Sequence, residues 1–298
     1  MESRVAVAAR AKVNLFLEVL GKRPDGYHEI ETVIQEIDLA DELTLESLGR
    51  GGPRLEVLSE GDPSVPSGPG NIVHAAASLF LERFAPEAAV RVSIRKRIPS
   101  GAGLGGGSAD AAAALRGLAR LLRVDAPAEE IARIASRVGS DVPFFLTGGL
   151  AVARGRGERV EPVASPARLG FVVVSPPFPC STAGVYGALA NSLTIAPRSP
   201  TILLRSLRSG SWSEIGKVLF NRLEEPAFRL EPRLRELRDR LAAAACPHPA
   251  LMTGSGSSLV AVTGTVAEAR ELGARLVPDF GERGCRVHVA RGVASGER

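Results

Sequence analysis

Four stretches of this chain carry residue types whose spacing could do chemistry. The first runs Ile98-Pro99-Ser100-Gly101-Ala102-Gly103-Leu104-Gly105-Gly106-Gly107-Ser108-Ala109-Asp110. Its glycines at 101, 103, 105, 106 and 107 leave the backbone without Cβ atoms, so it can wrap closely around a ligand. An Ala- and Leu-rich helix is predicted to follow from about Ser108 to Leu122. A helix start offers unsatisfied N–H groups and partial positive charge, which suits a phosphate. Ser108 could cap that helix, or offer its hydroxyl to a phosphate or to Mg2+. The bland alternative is a flexible connection, which glycine this dense at a helix start disfavours.

The second stretch pairs Ala11-Lys12-Val13-Asn14 with Tyr27-His28. A Lys opening an apolar strand usually snorkels at the surface, and an aromatic after a turn is usually rim packing. Both lie on one predicted hairpin, however, and could converge on one pocket. The third is Gly139-Ser140-Asp141-Val142-Pro143-Phe144-Phe145. Alone it reads as a helix stop, with Gly139 as the residue after the cap and Pro143 preventing continuation. An Asp at a backbone break is also a sensible place for a proton acceptor or a Mg2+ ligand. The fourth, Met252-Thr253-Gly254-Ser255-Gly256-Ser257-Ser258, is either a tight turn or a small-residue loop able to approach a ligand.

The glycine loop has no Gly-Lys-Ser/Thr, which excludes a Walker A loop. Gly101, Gly103 and Gly106 match G-x-G-x-x-G, and Asp125 follows 19 residues after Gly106, as in a dinucleotide-binding fingerprint. That fingerprint normally follows the first strand of its domain, whereas a long strand-patterned segment precedes this one. An NAD(P)-dependent dehydrogenase is therefore the remote alternative. The V-A-I-K and H-R-D motifs of protein kinases are absent.

The elements that must position these residues follow from periodicity and punctuation. Val13, Leu15, Leu17 and Val19 alternate with Asn14, Phe16 and Glu18, the pattern of a half-buried strand. Arg23-Pro24-Asp25-Gly26 is a turn. Strands are predicted over Ile30–Ile37, Glu42–Glu46, Arg54–Leu58 and Ala89–Ile94. Asn71 is expected to cap a helix through Phe84. A further helix is predicted from Pro127 to Gly139, with Asp125 as its cap. Strands at 150–152 and 171–174, a helix at 183–191 and helical segments across 200–245 come next. A strand at 258–262, a helix at Val266–Val277 and a last strand at 286–290 complete the pattern. Strands and helices mixed in both halves argue α+β. A composition shift at 155–166 suggests two domains, 1–160 and 161–298.

Composition narrows the function classes. Of 298 residues, 37 are basic and 33 acidic, and the weak net charge of +4 argues against a nucleic-acid binder. Only 4% are aromatic, too few for stacking platforms. Cys180, Cys246 and Cys285 are odd in number and have no zinc spacing, which fits thiols in a reducing cytosol. No apolar run is long enough to span a membrane, and Arg10 and Lys12 interrupt any signal-like segment. A cytoplasmic protein is expected.

Taken together, Ala11-Lys12-Val13-Asn14-Leu15, Pro99 through Ser108, and Thr253-Gly254-Ser255-Gly256 resemble the three motifs of the kinase family of galactokinase, homoserine kinase, mevalonate kinase and phosphomevalonate kinase. Arg23-Pro24-Asp25-Gly26-Tyr27-His28-Glu29, Gly103–Ser108, Asp141-Val142-Pro143-Phe144-Phe145 and Asn221 with Leu223-Glu224 resemble the branch that acts on a cytidine diphosphate ester of methylerythritol. The resemblance implies a two-domain small-molecule kinase fold: a ribosomal-protein-S5-like N-terminal domain, a ferredoxin-like C-terminal domain and one active site between them. It implies ATP with Mg2+, the phosphates held by Pro99, Gly101, Ala102, Gly103, Leu104, Gly105, Gly106, Gly107 and Ser108, and Asn71 in the segment near the adenine. Ser108 would contact the metal. Tyr27, His28 and Tyr186 would hold cytidine, and Asn14, Thr182, Gly254 and Ser255 would join the substrate site. Lys12 and Asp141 would be catalytic. The implied partner is a small-molecule substrate, with no nucleic acid or membrane, and the protein a monomer or homodimer. Another kinase of the family, of the mevalonate or homoserine type, is the nearer alternative. Ala109 departs from a frequent Ser, Ser175-Pro176-Pro177 from a usual Pro-Gly, and Arg222 from a frequent Asp.

Overall fold

A computed structural model describes residues 3–48, 54–165, 168–191 and 197–297. Pro166, at the end of the composition shift, lies outside these. Among the described residues the first half carries β1 (Arg4–Lys22), β2 (His28–Ser47), β3 (Leu55–Glu60), α1 (Ile72–Phe84), β4 (Val90–Arg95), α2 (Gly106–Leu122), α3 (Ala128–Val138) and α4 (Val142–Thr147). Then come β5 (Leu150–Gly155), β6 (Arg159–Pro162), β7 (Gly170–Ser175), α5 (Thr182–Gly187), α6 (Thr201–Ser209), α7 (Trp212–Ile215) and β8 (Phe220–Asn221). The chain ends with α8 (Glu224–Leu230), α9 (Pro232–Ala245), β9 (Ala250–Met252), β10 (Leu259–Thr263), α10 (Val266–Glu282) and β11 (Arg286–Arg291). It divides into two compact units: residues 1–11, 39–100 and 105–147, and residues 12–38, 101–104 and 148–298.

In the first unit, the end of β2 pairs antiparallel with β4, from Glu42 opposite Arg95 to Ser47 opposite Val90, and β3 runs parallel to β4. Helix α2 packs against α1 and α4. Its buried face is mostly alanine, Ala109 and Ala111 to Ala114, so the helix can lie close to its neighbours. Gly117 sets the limit: a Cβ there would stand 2.5 Å from Leu45 Cδ1 on β2.

In the second unit, the start of β2 pairs antiparallel with β5, from Ile30 opposite Gly155 to Gln35 opposite Leu150, and β1 runs parallel to β8. Strands β7, β9, β10 and β11 form an antiparallel sheet in the order β11-β7-β10-β9. Numbered by chain position this order is 4-1-3-2, and helices lie between its first and second and its third and fourth strands, which is the ferredoxin-like arrangement. Leu17, Val172, Val174, Leu259, Leu272, Leu276 and Phe280 are among the residues of its core. Thr265 and Glu268 form a capping box at the start of α10.

The expected elements are present, with informative differences. Asn71 caps α1, its Oδ1 accepting from Val73 N, and the helix ends at Phe84 as expected. The strands expected at 30–37 and 42–46 are one continuous β2, because each half has its own partner strand. β1 is buried on both faces from Ala11 to Val19 instead of half-buried. Leu17 and Val19 enter the core, while Glu18 on the other face is covered by Arg222. Asp125 does not cap α3, whose first helical residue is Ala128 after Pro127; Asp125 stands too far upstream. Gly139 has φ of −178°, extended and not left-handed, and the chain turns at once into α4. The helix predicted at 183–191 is α5 followed by a 3-10 turn at Ala188–Asn191. α10 continues through Pro278 beyond the predicted stop at Val277, because the fully buried Phe280 anchors its last turn in the core.

Candidate active site

The glycine loop divides between the units and each part is built by its own contacts. Gly101, Gly103 and Gly105 have φ of +63°, +76° and +72°. Left-handed backbone at alternate positions is why glycine recurs there. The third glycine of the G-x-G-x-x-G frame, Gly106, is the first residue of α2, and the left-handed positions are those at 101, 103 and 105. Gly105 stands at the cap position with no side-chain capping bond. Ser108 therefore does not cap α2 and sits within its first turn, where the helix N–H groups are unsatisfied.

Within the first unit the loop is secured from behind by charge. Lys96 Nζ donates to Asp41 Oδ2 at 2.5 Å and to Asp110 Oδ2 at 2.6 Å. Asp41 Oδ1 accepts from the backbone N–H of Arg97 and Ile98, just before the loop. Asp110 lies one turn into α2, just after it. All three side chains are at most 3% exposed. Burial pushes the Asp110 carboxyl up to about 7, with Asp41 adding to the rise and Lys96 opposing it. Burial would lower Lys96, but Asp110 and Asp41 outweigh it and hold the ammonium above its ordinary value. Asp110 Oδ1 has no donor partner.

The same unit brings the Asp141 stretch to the phosphate helix. A Cβ on Gly139 would lie 3.9 Å from Ser108 Oγ and 3.7 Å from Ile72 Cδ1. Asp141 itself is half-buried in the three-residue break between α3 and α4. Asn71 accepts from Val73 N and donates to Pro66 O, so its side chain holds the segment entering α1.

Within the second unit a tight knot forms around Lys12. Lys12 is 4% exposed, which rules out surface snorkelling. Its Nζ donates to Asn14 Oδ1 at 2.6 Å, and its backbone N–H to Leu104 O in the glycine loop. Asn14 Nδ2 donates to Thr32 Oγ1, and Asn14 N to Thr253 Oγ1. The loop at 253–258 touches the glycine loop directly: Ser258 N donates to Ala102 O. A Cβ on Gly103 would stand 2.2 Å from Thr253 O, and one on Gly254 would stand 3.2 Å from Lys12 Nζ. The fourth stretch is thus a contact loop and not a simple turn.

The aromatic residues fall in the same unit. The His28 and Tyr186 rings are 5.0 Å apart. Burial, together with Lys22, lowers the His28 pKa. Tyr27 is 52% exposed, with the Arg156 guanidinium 4.6 Å above its ring. Thr182 and Ser255 hydroxyls share a hydrogen bond of 2.8 Å.

Sequence reasoning missed Asp41, Lys96, Arg156 and Thr32. One signal was available for the charged cluster: Asp110 interrupts an alanine face, and an acid among buried alanines needs a partner. Arg156 offered none, since arginine in a turn is ordinary.

Comparison with known proteins completes the picture. A model of the GHMP kinases N terminal domain matches residues 71–149, and one of the GHMP kinases C terminal domain matches residues 203–282. A 4-diphosphocytidyl-2-C-methyl-D-erythritol kinase of Pelotomaculum thermopropionicum is 41% identical over 271 residues, 91% of this chain and 93% of that one. The chain belongs to the GHMP kinase family. A second relative of the same description, from Exiguobacterium sibiricum, is 38% identical over 87% of this chain and 89% of its own. A crystal structure of a 4-(cytidine 5'-diphospho)-2C-methyl-D-erythritol kinase superposes with a TM-score of 0.80 at 36% identity, covering 97% of this chain and all of that one. As a GHMP kinase the protein is an ATP-dependent phosphotransferase, so the dehydrogenase reading falls. No described helix is long and apolar enough to cross a membrane.

Proposed function

We propose that this GHMP kinase transfers the γ-phosphoryl group of ATP to the 2-hydroxyl of 4-diphosphocytidyl-2-C-methyl-D-erythritol, a step toward isoprenoid precursors in the non-mevalonate route. The observation that carries the reading is the 41% identity extending over 93% of a kinase of that name. The two matched family segments fall on either side of residues 155–166, which supports an N-terminal domain carrying the phosphate loop, 1–160, and a ferredoxin-like C-terminal domain, 161–298. Three free cysteines support a reducing cytoplasm as its compartment.

Phosphoryl transfer spreads charge over the phosphoryl oxygens, so catalysis is mainly positioning and electrostatic stabilisation. The amides of Gly101 to Gly107 and the start of α2 hold the nucleotide phosphates. Pro99, buried at the entrance, fixes the direction in which the loop leaves β4. Asn71 orders the segment beside the adenine. Among the described residues no cluster of three or more His, Cys, Asp or Glu side chains could cage a metal. Mg2+ is usually held by substrate phosphates and few protein groups; Ser108 Oγ would contact it, and it would neutralise phosphate charge. Lys12, held by Asn14, stabilises charge at the attacking oxygen. Asp141 accepts the proton of the acceptor hydroxyl. Tyr27, His28 and Tyr186 recognise cytosine by stacking, with Thr182, Gly254 and Ser255 bordering the acceptor.

An ADP-release assay across four acceptors tests this: the diphosphocytidyl methylerythritol, mevalonate, homoserine and galactose. Turnover is expected with the first alone. Turnover only with another acceptor would overturn the substrate assignment and leave the family intact. Asp141→Asn is expected to cut kcat severely and leave ATP affinity nearly unchanged; a near-normal kcat would remove Asp141 from the role of base.

A further inference from the structure

The motif Asn221-Arg222-Leu223-Glu224 has no part in the roles above, yet its contacts converge on the loop that touches Lys12. Asn221 ends β8, opposite Leu17 of β1, and is 3% exposed. Its Nδ2 donates to Met252 O at 2.7 Å and to Gly254 O at 2.8 Å. Its Oδ1 accepts from Leu223 N at 2.9 Å, which fixes the amide orientation, since a flipped Asn would set its NH2 against an N–H. Glu224 Oε1 accepts from Met252 N at 2.7 Å. One short motif therefore holds an N–H and two carbonyls within three residues of loop.

A peptide unit is planar, and in the trans form its C=O and N–H point opposite ways. With Gly254 O turned to Asn221, the Ser255 N–H faces away from it. Gly254 has φ of +58° and abuts both Lys12 Nζ and Gly103 of the phosphate loop. The Thr182 hydroxyl meets Ser255 Oγ, so the side chain of that residue is held as well.

We propose that Asn221 is a positioning residue for phosphoryl transfer, acting through the Met252 and Gly254 carbonyls to set the Gly254–Ser255 peptide beside Lys12, with the Ser255 N–H presented as an anion donor. Glu224 is its auxiliary, holding the loop by the Met252 N–H. The proposal rests on the kinase reading above. It distinguishes Asn221 from an ordinary buried asparagine, which would affect the amount of folded protein but not the turnover of what is folded.

The test compares variants with wild type on whichever acceptor the wild type phosphorylates, so a wrong acceptor shows in the wild type and a wrong clamp only in the variants. Asn221→Asp places an oxygen where two carbonyls need a donor. It should lower kcat by about 100-fold, the scale of losing one oriented oxyanion donor, with KM for ATP within about threefold of wild type. Asn221→Ala should fall in the same direction. Glu224→Gln keeps the acceptor oxygen and should retain most activity, whereas Glu224→Ala should lose kcat. Thermal melting and calorimetric ATP binding on the same samples give the folded fraction. A kcat for Asn221→Asp within threefold of wild type overturns the proposal, as does a loss of kcat no larger than the loss of folded protein. If neither Asn221 variant folds, Glu224→Ala decides: unchanged kcat overturns the proposal and reduced kcat with intact ATP binding supports it.

Discussion

Asp110→Asn should remove a pH dependence of stability that the wild type carries. The Asp110 carboxyl is buried beside Asp41 and bonded to Lys96, with one oxygen lacking a donor partner. Its pKa stands at about 7 in the folded protein against 3.8 for an ordinary aspartate. Between those values the folded chain holds a proton that the unfolded chain has released. Wild-type stability from this group is therefore fully present below the unfolded value and is lost as pH rises toward 7. Each pH step is worth about 1.4 kcal/mol, so pH 5 and pH 7.5 should differ by about 2–3 kcal/mol. Asparagine keeps an oxygen for Lys96, places an NH2 where the acid carries its proton and does not titrate. The assay is urea unfolding of both proteins at the two pH values, without nucleotide. The wild type should gain on the variant by about 2–3 kcal/mol on going to pH 5. A difference that is the same at both pH values would show that Asp110 is ionised throughout, and the account of this cluster would be wrong.

Two other perturbations follow from contacts already described. Gly103→Ala would force a side chain into left-handed backbone and against Thr253 O at 2.2 Å; ATP affinity should drop by at least tenfold, read by calorimetry, and unchanged binding would show that the loop reshapes freely. Arg222→Met leaves Glu18, 1% exposed, without its guanidinium, which should cost about 3–5 kcal/mol in thermal or denaturant unfolding, while kcat at low temperature stays near wild type. A loss below about 1 kcal/mol would mean that the Arg198 and Val19 N–H groups suffice for Glu18.

How much could be read in advance depended on whether the cause was local. Asn71 announces α1 because a cap acts over three residues, and its amide does so here. The glycine loop announced itself by density, though its working glycines are those at 101, 103 and 105, and no residue pattern separates these from Gly106. The continuity of β2 depends on β4 and β5, both far along the chain, so its middle looks like a break. Pro278 is a local stop signal overridden by Phe280, fully buried two residues further on. Lys96 with Asp41 and Asp110 joins three positions that only the folded first unit makes neighbours. Arg222 looked like a departure from an acidic position and becomes intelligible once Glu18 is found opposite it.

The alternation of left-handed glycines in the phosphate loop bears on resistance to inhibitors. A compound that grips this loop meets main-chain amides, and proline is the one substitution that removes an amide N–H. Four positions where a new side chain would obstruct it are guarded: Gly101, Gly103 and Gly105 need their left-handed backbone, and a side chain on Gly106 would crowd Ile98 at 3.1 Å. Escape by single substitution at these four glycines would therefore damage the enzyme before it excluded the drug. Compounds that depend instead on Tyr27, half exposed beneath the Arg156 guanidinium, would grip a side chain that one substitution can replace, at the cost of its proposed contact with cytosine.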